Sequence, residues 1–264
     1  MIILIPGASG GFGRVLAEHL VSEGHTVYGT MRDPARLEDE VSFPMLPMEI
    51  TDAASVEACV GEVLKREGRI DVLVNCVNRM IIGGFEEQSV EDVKALYDTN
   101  VFGVVRMCQA VLPAMREQGG GTIVNMSSLG GLLAVPTMSA YTSAKFALEA
   151  LSEALYHEVK PDGIDVVIME PVAMAMDRPG TGSHLELVAG VTPDSKSHKM
   201  LARMEKDTAA SGLTPQAVAE KVGDVIRRDK KPLRVPMDRA KALTWVRSLA
   251  PQGVIDRLIG GLLQ

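Results

Sequence analysis

Short apolar runs alternate with longer amphipathic segments along the whole chain of 264 residues. The runs are "IILI" (2–5), "TVYGT" (26–30), "PMLPM" (44–48), "DVLVN" (71–75), "TIVNMSS" (122–128), "DVVIME" (165–170) and "LRVPM" (233–237). Between them, apolar residues recur at helical spacing near 12–23, 52–67, 90–118, 139–160 and 214–229. Strand, helix and strand in succession are joined by right-handed crossovers, which make the strands parallel and cover both faces of the sheet. No Gly-, Ser- or Pro-rich linker and no internal repeat divides the chain. The expected architecture is α/β: one domain over 1–264, with a doubly wound parallel sheet and helices on both faces. The stretch 173–212 breaks the rhythm and holds Gly, Ser, His and Met without periodicity. Such a late excursion is either a substrate lid or a surface insertion.

Composition removes several function classes. Apolar residues make up 46% of the chain, ample for a large core. The net charge of −7 supplies no overall basic field for nucleic acid. The basic stretch "RRDKKPLR" (227–234) reads as a solvated helix end. Cys59, Cys76 and Cys108 are too few and too scattered for a disulfide framework or a zinc site, and no metal is expected. No stretch approaches the ~20 apolar residues of a membrane span. The opening "MIILIPGASGG" lacks the basic start and length of a signal peptide, so a cytoplasmic protein is expected.

"IILIPGASGGFGRVLAEHL" reads as strand, glycine turn, helix. Gly7, Gly10, Gly11 and Gly13 let the backbone turn tightly and approach a pyrophosphate, and the helix then aims its free N–H groups at the phosphates. The spacing fits both G-x-x-x-G-x-G and G-x-x-G-x-x-G. This is a Rossmann-type dinucleotide site. The second strand runs out as "VYGTMRDP". Met31 stands where an acid would bind the ribose of NAD, and Arg32 follows it. A guanidinium suits the 2′-phosphate of NADP, so NADP(H) is expected ahead of NAD(H). Asp33 would serve the ribose if the strand ran longer.

"YTSAKFALEALSEALYHEVK" (141–160) contains Tyr-x-x-x-Lys twice. In open α/β sheets, ligands bind outside the carboxyl ends of the strands. "TIVNMSS" brings Ser127 and Ser128 to that edge. A helix starting near Ser139 places Tyr141 and Lys145 on its first turns, one above the other. Tyr156 and Lys160 lie roughly 22 Å farther along at 1.5 Å per residue, toward the opposite edge. Tyr141 and Lys145 are therefore the chemical pair. A free Tyr has a pKa of about 10, and a neighbouring ammonium favours its phenolate.

These motifs together resemble the short-chain dehydrogenase/reductase family in its compact form. They are the glycine turn, "GRIDVLVN" (68–75), "DTNVFG" (98–103), "GTIVNMSS" (121–128), "YTSAK" (141–145) and "EP" (170–171). "VYGTMRDP" most resembles the branch of retinol and 17β-hydroxysteroid dehydrogenases. The resemblance implies Tyr141 as acid/base, Lys145 lowering its pKa and holding the nicotinamide ribose, Ser128 orienting the substrate oxygen, and Asn100 positioning a water. It implies cofactor contacts from Gly7, Ser9, Gly11, Phe12, Gly13, Arg32, Glu49, Ile50, Asn75, Tyr141, Lys145 and Pro171. It also implies a homodimer or homotetramer paired through the helices at 100–118 and 139–160.

The chain departs from the family at Pro6, where Thr is usual. It departs again at Cys76-Val77-Asn78, where Asn75 is usually followed by Asn-Ala-Gly. Asn78 is expected to keep that turn at positive φ, and Val77 to narrow the adenine side. The usual Pro-Gly is Pro171-Val172, and a later Thr aligns with Met176. Met138, Met174, Met176, Met200 and Met204, with Leu132, Leu133 and Val135, border the expected site. Their thioethers suit a bulky apolar ketone or alcohol, steroid-, retinoid- or aromatic-like, or simply fill core gaps. The leading reading is an NADP(H)-dependent oxidoreductase. The alternatives are an epimerase or dehydratase with retained cofactor, and a non-catalytic nucleotide-sensing relative.

Overall fold

The computed structural model describes residues 1–37, 40–174, 185–238, 240 and 250–260. Seven strands form one parallel sheet: β1 (Ile2–Pro6), β2 (Thr26–Met31), β3 (Met45–Pro47), β4 (Val72–Asn75), β6 (Gly121–Met126), β7 (Ile164–Glu170) and β9 (Arg234–Pro236). Their order is β3-β2-β1-β4-β6-β7-β9. The chain builds outward from β1 in one direction, then returns to add β4 on its other side. The carboxyl ends of β1 and β4 therefore flank a topological switch point, where such folds bind ligands.

Alternation along each strand divides the core in two. Ile3, Ile5, Val74 and Val124 enter the layer beneath α1 (Gly11–Ser22) and α7 (Pro215–Ile226), against Leu16, Leu20, Val218 and Val222. Leu4, Leu73, Ile123 and Val166 enter the layer beneath α2 (Ala53–Glu67), α4 (Gly103–Glu117) and α5 (Ser139–Val159), against Val60, Met107, Val111 and Leu148. Each such side chain, fully buried, contributes about 1.5–3 kcal/mol. Local signals set the helix ends. The Asp52 side chain caps α2 and Gly68 stops it at φ 73°.

Two expectations need correction. The pattern at 90–118 is not one helix. The Ser89 and Asp92 capping box starts α3 (Val90–Tyr97), which passes through a π-helical turn at Asp98–Phe102 into α4. The stretch 173–212 is also no shapeless insertion where it is described. β8 (Leu185–Leu187) pairs in parallel with β5 (Met80–Ile82), and α6 (Lys196–Ala209) packs beside them with Met200 buried. The segment is fastened further where Ser197 Oγ donates to Glu87 at 2.5 Å. The last described element is α8 (Gln252–Gly260), whose Ile259 faces Val135 and Phe146 across an apolar groove. No described helix is long and apolar enough to cross a membrane.

Candidate active site

The glycine turn leaves β1 at Gly7, whose φ of +83° favours glycine. At Gly13 a Cβ would sit 2.2 Å from the Gly7 carbonyl oxygen, so the turn and the first coil of α1 touch backbone to backbone. No side chain caps the N-terminus of α1, which leaves its first N–H groups available. Ser9 is exposed at the mouth, and Phe12 leans on the core beneath. An uncapped helix end behind a cradle that any side chain would fill fits a dinucleotide pyrophosphate.

Across the switch point, Cys76 N–H donates to the Pro6 carbonyl at 3.3 Å, which joins the two departures noted at Pro6 and Cys76. Val77 presses on Gly7, whose Cβ would lie 3.0 Å from a Val77 methyl. The Asn75 side chain does not face the cofactor cleft. It donates to Asn125 Oδ1 at 2.8 Å beneath α4 and α5, and Asn125 donates on to Ser152 Oγ at 2.8 Å. Asn100 is buried and clamps the Arg79 backbone twice, accepting from its N–H at 2.8 Å and donating to its carbonyl at 2.6 Å. The π-helical turn is what presents that amide to residue 79. Asn78 is not at positive φ, contrary to expectation. It instead turns its amide to the Tyr141 hydroxyl.

Tyr141 is buried and shares hydrogen bonds with both Ser128 and Asn78. Burial pushes its pKa up, and these two partners oppose the rise. Ser128 follows β6 and accepts from Gly130 N–H at 3.1 Å, which fixes the turn that carries it. One turn beyond Tyr141, the Lys145 ammonium donates to the Met126 carbonyl at 2.9 Å and lies 5.7 Å from the Tyr141 ring centroid. Burial pulls its pKa down to about 8, while the Glu149 carboxylate raises it. The duplicate pair has similar internal geometry, with Lys160 Nζ 5.4 Å from the Tyr156 ring centroid. Lys160 is spent on Asp165 at 2.7 Å, far from the glycine turn along α5. Placement, not the pattern, separates the two.

The remaining expected contacts divide. Arg32 is exposed just past β2 and has no ion pair among the described residues. Asp33 is occupied, accepting from Ala35 N–H at 3.2 Å and pairing with Arg36 at 3.4 Å. Glu49 turns its carboxylate onto Thr51, and Ile50 is buried against Gly103, so both side chains serve the turn after β3. Pro171 accepts from Leu129 N–H at 2.9 Å, tying the end of β7 to the Ser128 turn. Val172 packs on the α1–α7 layer, as does Met174. Met176 lies outside the described residues. Met138 and Met200 are buried in the cluster that holds the Tyr141 ring, with Met204, Ile81 and Val188. Sequence reasoning missed Asn78 as a partner of Tyr141. It also missed Arg234, which was expected at a solvated helix end and instead turns inward onto Glu149 and Glu170.

The model of the short chain dehydrogenases matches residues 1–180. The chain belongs to that family. This short-chain dehydrogenase is 34% identical to a 3-ketodihydrosphingosine reductase of Bacteroides thetaiotaomicron over 251 residues, covering 93% of each chain. It is 32% identical to human 17-beta-hydroxysteroid dehydrogenase type 1 over 251 residues, which covers 88% of this chain and 76% of that one. The branch read from "VYGTMRDP" therefore holds. Among solved structures, a short-chain dehydrogenase of Streptomyces avermitilis superposes with a TM-score of 0.82 at 34% identity, over 99% of this chain and 95% of that one. A Burkholderia cenocepacia short-chain dehydrogenase in complex with NADP shares the fold, with a TM-score of 0.78 at 20% identity over 98% and 97%. This short-chain dehydrogenase is accordingly an oxidoreductase of the NAD(P)-dependent family.

Proposed function

We propose that the enzyme interconverts a bulky apolar ketone and its alcohol with NADP(H). The observation that carries this is one phenol, Tyr141, bracketed by Ser128 and Asn78 and backed by the Lys145 ammonium, at the sheet edge that also carries the glycine turn. When bound, the nicotinamide supplies or accepts the hydride. Gly7, Ser9, Gly11, Phe12 and Gly13 would hold its pyrophosphate, with Tyr141, Lys145 and Pro171 on the nicotinamide side. Tyr141 Oη gives a proton to the reduced carbonyl oxygen, or takes one from the alcohol. Ser128 orients that oxygen. Lys145, charged and buried, stabilises the phenolate that remains.

Two further features support the finer reading. Arg32 is open to a 2′-phosphate while Asp33 is engaged in its own loop. The substrate side is walled by apolar residues of β5, β8 and α6, including Met200 and Met204. The ordered stretch 185–209 would then cover the substrate. Relatives named for a sphingoid ketone and a hydroxysteroid agree with a long or polycyclic apolar skeleton. The α4–α5 face, with Phe102 and Leu151 exposed, is where a homo-oligomer would pair. Three free thiols suit a reducing cytoplasm.

The test is cofactor consumption over a panel of long-chain, steroidal and aryl ketones. NADPH is expected to exceed NADH in kcat/KM, with Arg32→Ala narrowing the difference by about tenfold. Tyr141→Phe should abolish turnover and leave cofactor affinity nearly intact. Undiminished reduction by that variant would end the proposal.

A further inference from the structure

Behind the Tyr141–Lys145 pair, α5 carries a third polar residue on the same face, Glu149, four residues beyond Lys145. A carboxylate at this depth needs partners. Arg234 of β9 supplies them: its Nη1 pairs with Glu149 and, at 3.0 Å, with Glu170 of β7, and its Nη2 reaches Glu153 at 2.8 Å. Glu149 and Glu170 are buried, and the charge of Glu149 bears on Glu170. The Glu149 carboxylate also sits under the turn that carries Ser128. A Cβ on Gly131 would lie 3.1 Å from Glu149 Oε1 and 2.7 Å from Ser127 Oγ. No proton-transfer step described above uses this cluster.

We propose that Glu149, held by Arg234, is a positioning residue for Lys145: its carboxylate keeps the buried ammonium charged and so sets the pH at which Tyr141 gives and takes its proton. This rests on the proton-transfer reading of Tyr141 and Lys145. The physical need is plain. Lys145 is 2% exposed, and its one hydrogen bond to a neutral carbonyl does not offset the loss of water around a full charge. The groups around Lys145 are Tyr141 and Glu149 on α5, Cys76 after β4 and the Met126 carbonyl of β6. Among the described residues only Glu149 brings an anion: burial pushes its pKa up and the Arg234 guanidinium opposes that rise, while burial holds the Cys76 thiol near 12. The groups around Glu149 are Lys145 and Glu153 on α5, Arg234, Glu170 and Ser127. Among the described residues Arg234 is the only other cation there. It answers two buried carboxylates at once, which holds Glu149 in place one helical turn from Lys145 on the same face of α5.

The test reads Lys145 directly and needs neither cofactor nor substrate. The chain is labelled with [13Cε]lysine, and the Lys145 signal is assigned with Lys145→Met. In the native protein the Lys145 signal should titrate near 8. Glu149→Gln should lower that midpoint further, by about one pH unit. Glu149→Asp keeps the charge but draws it back, and should fall between the two. Glu170→Gln leaves the Arg234–Glu149 pair in place and should not lower the midpoint. Coincidence of the Gln variant with the native curve overturns the proposal, as does an equal downward shift in Glu170→Gln. If the Gln variant does not fold, the Asp variant decides: a lowered midpoint supports the role and an unchanged one overturns it. An enzyme inactive on every ketone, with these shifts intact, would sink the activity and leave the electrostatic coupling standing.

Discussion

Asn78 places an amide where the family usually has no side chain at all. Its bond to the Tyr141 hydroxyl favours the phenolate, so Asn78→Ala should raise the tyrosine pKa. Losing one hydrogen bond of about 1 kcal/mol predicts a fall of about fivefold in alcohol oxidation near neutrality. The acidic limb of the kcat/KM profile should move upward with it, and a profile unmoved by the change would exclude the role. Glu170 makes a second prediction. Burial, and after it the charge of Glu149, raises its pKa to about 7, above an unfolded value of about 4.3. A raised acid stabilises the fold fully below its unfolded pKa, and that contribution is lost as pH rises through the folded one. Melting temperatures from pH 5 to 8 should therefore decline more steeply for the native protein than for Glu170→Gln, a difference on the order of 1–3 kcal/mol. Parallel curves would refute it. Tyr141, Lys145 and Ser128 were legible because strand and helix periodicity placed them at one sheet edge. Glu149 and Arg234 were not, since they stand 85 residues apart and no pattern in the basic stretch 227–234 marks one arginine as buried.

Among the elements, the β1–α1 unit was the most legible, because strand, turn and helix are adjacent in sequence and the glycines announce a close approach. Gly13→Ala forces its methyl into the Gly7 carbonyl oxygen. The turn must open, at a cost of about 1–3 kcal/mol. Calorimetry should show the loss in melting temperature, and titration with NADPH should show an affinity weakened about tenfold or more. Unchanged binding would mean that the pyrophosphate does not lie there. The break between α3 and α4 was illegible, because apolar spacing continues across it. The π-helical turn coincides with the double clamp between Asn100 and the Arg79 backbone, a contact across 21 residues that local spacing does not reveal. β5 and β8 were missed for a different reason: three-residue strands carry too little periodicity to register.

At the scale of the whole molecule, the seven-stranded sheet and its two layers follow from the alternation of runs, and the order of strands fixes where the site must be. Association is less legible, since an exposed side chain says little alone. Phe102 and Leu151 are nevertheless exposed on the α4–α5 face through which pairing is proposed. Beside Leu151, residues of α4 and α5 including Val105, Leu112 and Leu155 line a shallow groove. Light scattering should find more than one copy per particle, and Leu151→Arg should reduce the mass while circular dichroism is unchanged. A monomeric native protein, or a variant of undiminished mass, would refute pairing through this face.

The short parallel pair of β5 and β8 joins two parts of the chain that otherwise have separate tasks. Asn78 and Arg79 lead straight into β5, β8 opens the stretch that runs on to α6, and Arg79 pairs with Glu186 at 3.2 Å across the two strands. Met80, Ile81 and Ile82 are each paired to a residue of β8, so neither segment can shift without the ladder between them. The amide that rests on Tyr141 and the apolar wall of α6 are thus anchored to the same three-rung ladder.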